Sequence, residues 1–227
     1  MLIGLEFRRW RESRQLLFKV QVLGYSMFLL RKPNPASMRR FLDDQASASF
    51  SYPEVGATSG KLPEGYAMQH TRKSLGHGPM AFACACDALR TMQQFQLGWV
   101  DCWPRNIQVT TGEQIAVLGH VFGLWWLNAC RIAYTIDEPS GQMKFGYANG
   151  TLPRHMARGE ERFQIDMDAD ETVWLDILAF SRPNTLLAKL GYPVLRRSQQ
   201  RFGAAAVVKL QQLVSRGQAA PREERQG

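Results

Sequence analysis

Apolar positions in this chain fall at helical spacing near both ends and alternate with polar ones through the middle. After Pro33-Asn-Pro35, Met38, Phe41 and Leu42 share one face, which predicts a helix over 37–48 with Ser37 as its N-cap. Residues 50–65 are rich in Gly, Pro and Ser and read as loop. Weak alternation predicts a first strand over 66–74. Pro79 suits the first turn of a second helix over 80–95, where Phe82, Cys86, Leu89 and Met92 recur every three or four residues.

Strand then follows strand. The pattern predicts a hairpin of 103–110 and 114–127 joined through Thr111-Gly112. A strand over 130–137 places Cys130, Ile132, Tyr134 and Ile136 on one face, and a Pro/Gly turn leads into 142–147. Over 161–168, Phe163, Ile165 and Met167 oppose Arg162, Gln164, Asp166 and Asp168. Over 172–181 both faces are apolar apart from Asp176, as expected of a strand covered on both sides. A helical stripe closes the chain, from Leu186 and Leu190 through Leu195, Phe202, Ala206, Leu210 and Leu213. Pro193 should kink or split that helix.

One strand, one or two helices, about six antiparallel strands and a long amphipathic helix make an α+β domain. The long helix can cover the apolar face of a curved antiparallel sheet wrapped around it. That is the helix-grip order of START and Bet v 1-like proteins. We expect a basic amphipathic N-terminal extension over 1–32, the helix-grip domain over 33–216 and a flexible polar tail over 217–227.

Composition adds charge to this picture. The 227 residues carry a net +8, with nine Lys/Arg against two Glu in residues 1–40 and the same balance in 182–227. Such basic ends, through residues 1–32 and 196–216, suit an anionic membrane surface or an acidic protein. Nucleic acid is the weaker match, because no basic strand face is studded with aromatics. The apolar run over 16–30 is interrupted by Lys19, Gln21, Gly24 and Ser26 and is too short to span a bilayer. No small-residue cleavage site follows it. Cys84, Cys86, Cys102 and Cys130 form no CxxC pair and read as reduced, buried thiols. The expected location is therefore cytoplasmic, with the option of a peripheral seat on a membrane.

His155, Glu160 and Glu161 form the densest titratable cluster, in a turn-rich stretch between two strands. They are the candidates for acid–base chemistry, since paired carboxylates in a partly buried site can split their pKa values. Adjacent strand residues point to opposite faces, however, so at most one glutamate faces a given cavity. The other is free to pair with Arg131 or Arg182. His70, His77 and His120 lie far from His155 in sequence, and no metal site or cofactor is expected. Gly-x-Ser-x-Gly and Gly-x-x-x-x-Gly-Lys motifs are absent.

The chain also resembles a named family, the UPF0548 (DUF1990) proteins, at spaced motifs covering roughly residues 35 to 215. These are Phe50-Ser-Tyr-Pro-Glu-Val-Gly-Ala-Thr58, Leu62-Pro-Glu-Gly-Tyr66, Leu75-Gly-His-Gly78 and Cys130-Arg131. Gly150-Thr-Leu-Pro-Arg-His155, Gly159-Glu-Glu-Arg-Phe163 and Phe180-Ser-Arg-Pro183 complete the set. The resemblance implies a Bet v 1/START-like fold and no particular reaction. The family reads Tyr-Gly-Thr-Leu where this chain has Tyr147-Ala-Asn-Gly150, an insertion expected to bulge that strand and re-aim Tyr147.

The leading expectation is a cavity between sheet and C-terminal helix that binds an apolar or amphipathic small molecule. Arg131, Tyr134, Tyr147, His155, Glu160, Trp174 and Arg182 are its expected polar or aromatic contacts. Two alternatives stand beside it. One is an enzyme of the same fold performing cyclisation, hydration or isomerisation with a glutamate and His155. The other is a scaffold that docks a membrane or protein partner.

Overall fold

The computed structural model describes residues 28–121 and 123–219. The expected basic amphipathic segment falls almost wholly outside them, as do residues 220–227. Phe28–Leu29 (β1) pair with Trp125 and Trp126, so the last residues assigned to the extension join the sheet. Helix α1 (Pro35–Asp43) is followed by strand β2 (Ala67–His77) and helix α2 (Pro79–Arg90). Strands β3 (Val100–Trp103), β4 (Gln114–Val121), β5 (Leu124–Glu138), β6 (Lys144–Thr151), β7 (Ala157–Met167) and β8 (Thr172–Pro183) come next. Helices α3 (Leu186–Leu190) and α4 (Tyr192–Ala219) end the described chain. Every pairing is antiparallel, in the order β2-β8-β7-β6-β5-β4-β3 with β1 beside β5.

Two layers cover the sheet. On the inner face Phe163, Ile165, Leu175 and Ile177 pack against Phe202, Ala206 and Leu210 of α4 and against Ala85 and Leu89 of α2. On the outer face Met38, Phe41 and Leu42 of α1 meet Ala116, Leu118, Ala129 and Leu152. A nine-residue helix does not persist alone in water. These three buried side chains, each contributing roughly 1.5–3 kcal/mol, hold it in place. The arrangement is a helix-grip. The edge strand β2 is protected because α4 side chains take its carbonyls: Gln211 Nε2 donates to Ser74 O at 2.8 Å and Arg196 to Met68 O at 3.2 Å.

Several boundaries differ from expectation for local reasons. Asn34, not Ser37, caps α1, its side chain accepting from Ser37 N at 2.9 Å, with Pro35 inside the first turn. Helix α2 stops at Arg90, Met92 turns the chain at φ 55°, and residues 93–95 form a short 3-10 turn that brings Phe95 against Phe202. The expected hairpin lies elsewhere. Residues 103–110 are mostly loop, β3 ends at Trp103, and the predicted strand over 114–127 breaks near Gly123 (φ 75°) into β4 and β5. The final helix divides at Gly191, which places Pro193 in the first turn of α4, where its missing N–H costs nothing.

The expected bulge in β6 is absent, since Tyr147 to Gly150 pair continuously with β7. The irregularity sits in β5, between Ile132 and Tyr134. It turns Tyr134 to the outer face, so the predicted four-residue stripe from Cys130 to Ile136 is broken after Ile132. No helix among the described residues is long and apolar enough to cross a membrane.

Candidate functional site

Strand register divides the two glutamates. Gly150 lies opposite Glu160 and Asn149 opposite Glu161. Directly paired residues share a face and neighbours alternate, so Glu160 faces outward and Glu161 inward.

Outside, Glu160 is buried and anchors the loop over 50–60. Its Oε2 accepts from Tyr52 Oη and from Gly56 N, both at 2.7 Å. Its Oε1 accepts from Thr58 N at 3.0 Å and Thr58 Oγ1 at 2.5 Å. Burial and this carboxylate push the Tyr52 phenol far above its usual 10, so Tyr52 stays a donor. Gly150 makes the approach possible, because a Cβ there would stand 2.3 Å from Tyr52 Oη. Thus Phe50–Thr58, Gly150 and Glu160, three separate family motifs, are parts of one clasp. Arg162 ties the clasp to the outer ion pairs, donating to Thr58 O at 2.9 Å and Asp176 Oδ1 at 2.8 Å.

Inside lies a cavity of about 470 Å³ between the sheet, α3 and the first half of α4. Val117, Trp126 and Ala179 of the sheet face Val194, Leu195 and Phe202 of α4 across it. The Trp126 ring lies over Gly119, where a Cβ would come within 2.1 Å of the indole. A side chain at 119 would therefore displace this wall.

Three polar groups on the cavity wall matter most. Glu161 lines it, and no hydrogen bond or ion pair reaches its carboxylate among the described residues. Burial raises the carboxyl pKa to about 7. Asn149, directly across the register from Glu161, is buried, and its Oδ1 has no partner among the described residues. His155 keeps Nδ1 within 2.9 Å of both the N and O of Ala157, and burial pushes its pKa down to about 4, so the ring is neutral near pH 7. Thr151 and Asn128 also line the cavity but are engaged, with Gly159 and Met156 respectively. Among the described residues no three His, Cys, Asp or Glu side chains converge as a metal site.

The residues named from sequence are thus dispersed. His155 and Glu161 both line the cavity, and Glu160 borders it with its carboxylate committed to the clasp. Arg131 donates to the carbonyls of Gln45, Ala46 and Ala48 and holds the end of α1. Tyr134 shares a 2.7 Å hydrogen bond with Thr58 Oγ1 on the outer face. Tyr147 is fully buried, its hydroxyl against Gln94 and Met92. Trp174 donates Nε1 to Asp168 at 2.7 Å and lies beneath Arg72, while Arg182 stacks over Tyr66. These five do not line the cavity. Asn149 does, and was missed. The available signal was an amide in an otherwise apolar strand, within the two-residue insertion.

The family pattern described as "Domain of unknown function (DUF1990)" matches residues 51–209, from the clasp into α4. A UPF0548 protein of Dictyostelium discoideum is 33% identical over 195 residues, covering 78% of this chain and 90% of its own. One from Deinococcus radiodurans is 34% identical over 188 residues, covering 77% and 92%. Among solved structures, the Zhui aromatase/cyclase from Streptomyces sp. R1128 has a TM-score of 0.45 at 13% identity, covering 68% of this chain and 98% of that one. Ara h 8.0201 gives 0.42 at 12%, covering 64% and 98%. These two likenesses are of outline only and say nothing about a ligand. The sequence relatives are of another order, and the chain belongs to the DUF1990 family of UPF0548 proteins.

Proposed function

We propose that the chain binds a hydrophobic or amphipathic small molecule in the cavity between the sheet and α4. The observation that carries this reading is an apolar space of about 470 Å³ holding a carboxylate that has no partner among the described residues. Its size lies within the roughly 300–1,000 Å³ of small-molecule pockets, and a few polar groups on apolar walls are their usual pattern. Native mass spectrometry of the purified chain should retain a small-molecule adduct. Val117→Trp, which fills the cavity, should lose the adduct while keeping the far-UV circular dichroism. Retention of the same adduct by a folded Val117→Trp protein would count against the cavity as its seat.

A second reading is acid–base catalysis, supported by Glu161 and His155 lining the same cavity. Under that reading Glu161→Gln lowers turnover of a bound substrate by at least about 100-fold while leaving its binding intact.

The apolar ligand also needs a route in. Leu186 and Leu190 of α3, beside the cavity, are 72% and 76% exposed, with Lys189 between them. No Asp or Glu occurs from Ile177 to Arg222. Exposed leucines flanking Lys189, in a stretch of sequence without carboxylates, fit an anionic lipid surface. Leu190→Asp should weaken sedimentation with vesicles containing phosphatidylglycerol, and unchanged sedimentation would refute this dock. Three of the four free thiols are buried, and burial pushes Cys86 and Cys102 up to about 12. That supports a reducing, cytoplasmic setting.

A further inference from the structure

We infer that the cavity selects, among apolar molecules, those whose head is a protonated amine, seated on the Glu161 carboxylate with the Asn149 amide beside it. This rests on the binding reading above and names the chemistry of its ligand.

The chain carries 28 Lys and Arg, yet none is among the described residues that line the cavity. Described cations near the sheet are engaged elsewhere: Arg131 on the end of α1, Arg72 and Arg162 on Asp166 and Asp176, Arg182 over Tyr66. Among the described residues, an anionic head entering this space would meet Glu161 and no compensating charge. Burying an unpaired charge beside a like one is among the costliest events in a protein interior.

Thr151 and Asn128 already serve backbone groups, and His155 has committed Nδ1. The Glu161 carboxylate is unpartnered, and the Asn149 amide makes no hydrogen bond among the described residues. As a directly opposed antiparallel pair, their Cβ atoms stand about 4.5–5.5 Å apart. One head group can therefore touch both. An ammonium has three donors and no acceptor, and it meets a carboxylate and an amide oxygen together. The pair so formed is charge-assisted and lies away from bulk water, where such bonds are strongest. A hydroxyl head offers a single donor and no charge, so it gains less from the same seat. The raised pKa of Glu161 is the expected property of a carboxylate still waiting for its cation.

The protein's own field runs the other way. With a net charge of +8, the chain draws carboxylates and repels amines at long range, so a preference for amines must come from the site.

The test uses three probes of one chain length: dodecylamine, dodecanol and dodecanoate, below their micellar concentrations at pH 8. Each competes with an apolar fluorescent dye for the full chain and for Glu161→Gln. Expected for the wild type is displacement by the amine at least about tenfold more potent than by the alcohol, with the carboxylate weakest. Glu161→Gln should bring the amine down to the level of the alcohol while dye and alcohol binding persist, which shows that the variant is folded. Dodecanoate binding as well as the amine, or an amine advantage that survives Glu161→Gln, overturns the inference and leaves the binding reading standing. If neither the dye nor any of the three probes binds, the binding reading fails and this inference falls with it.

Discussion

Two adjacent glutamates do opposite work here, and the difference is one of face. Glu160 accepts four hydrogen bonds from Tyr52, Gly56 and Thr58, so its negative charge is compensated where it is buried. Glutamine at 160 replaces one acceptor oxygen with a donor aimed at other donors. Glu160→Gln should therefore destabilise the chain by about 2–4 kcal/mol, measured by urea unfolding at pH 7. Glu161→Gln removes a charge that has no partner among the described residues and should leave stability equal or higher at the same pH. Equal losses from the two substitutions would refute the assignment of faces. That the two residues part company was legible from the period of two in a strand. Which of them turns to the cavity was not, because the deciding partners lie about a hundred residues earlier, in a loop of Gly, Pro and Ser without periodicity.

At the scale of elements, the clasp gives a run of turn residues a structural role. Loop 50–60 has little regular structure of its own and is held by one carboxylate and one bare stretch of β6. Gly150→Ala puts a methyl 2.3 Å from Tyr52 Oη and 2.6 Å from the Phe50 ring, so the loop must lift. The expected loss is about 1–3 kcal/mol, of the order seen for overpacked sites, accompanied by faster proteolysis within 50–60. Cleavage confined to other loops would show that Gly150 does not seat the clasp. Strands with unbroken pairing, such as β7 and β8, could be read from their patterns, β7 from alternation and β8 from an apolar run. The misreadings share another cause. In β5, Ala133 is an extra residue against β6 and reverses the parity of every position after it, which carried Tyr134 from the expected cavity face to Thr58. Near Gly123 a turn interrupts apolar runs that flank it on both sides, so composition alone does not mark the hairpin. A single-residue register change leaves almost no trace in hydropathy, yet it decides which side chains meet.

At the scale of the whole molecule, the cavity should be visible in how global stability depends on pH, although the wild type partly conceals it. Glu161 has a pKa raised from 4.5 to about 7 by burial, so between those values the folded state holds more protons than the unfolded one. Its contribution to stability therefore falls as pH rises from 4.5 to 7 and is constant outside that window. His155 is depressed from 6.5 to about 4, so the folded state holds fewer protons, and its contribution falls as pH drops from 6.5 to 4. Each effect amounts to about 3 kcal/mol at most, less where water enters the cavity. From pH 4.5 to 6.5 the two slopes have opposite sign and similar size, so they offset one another in the wild type. The difference between variant and wild type separates them, because every other titrating group cancels in it. Relative to wild type, Glu161→Gln should gain stability progressively from pH 4.5 to 7 and hold the gain above that. His155→Asn should gain relative to wild type as pH falls from 6.5 toward 4. Urea titrations at half-unit steps of pH give both profiles, and a Glu161→Gln difference that stays level from pH 4.5 to 7 would mean the carboxylate is hydrated, with the cavity open to bulk water at its inner wall.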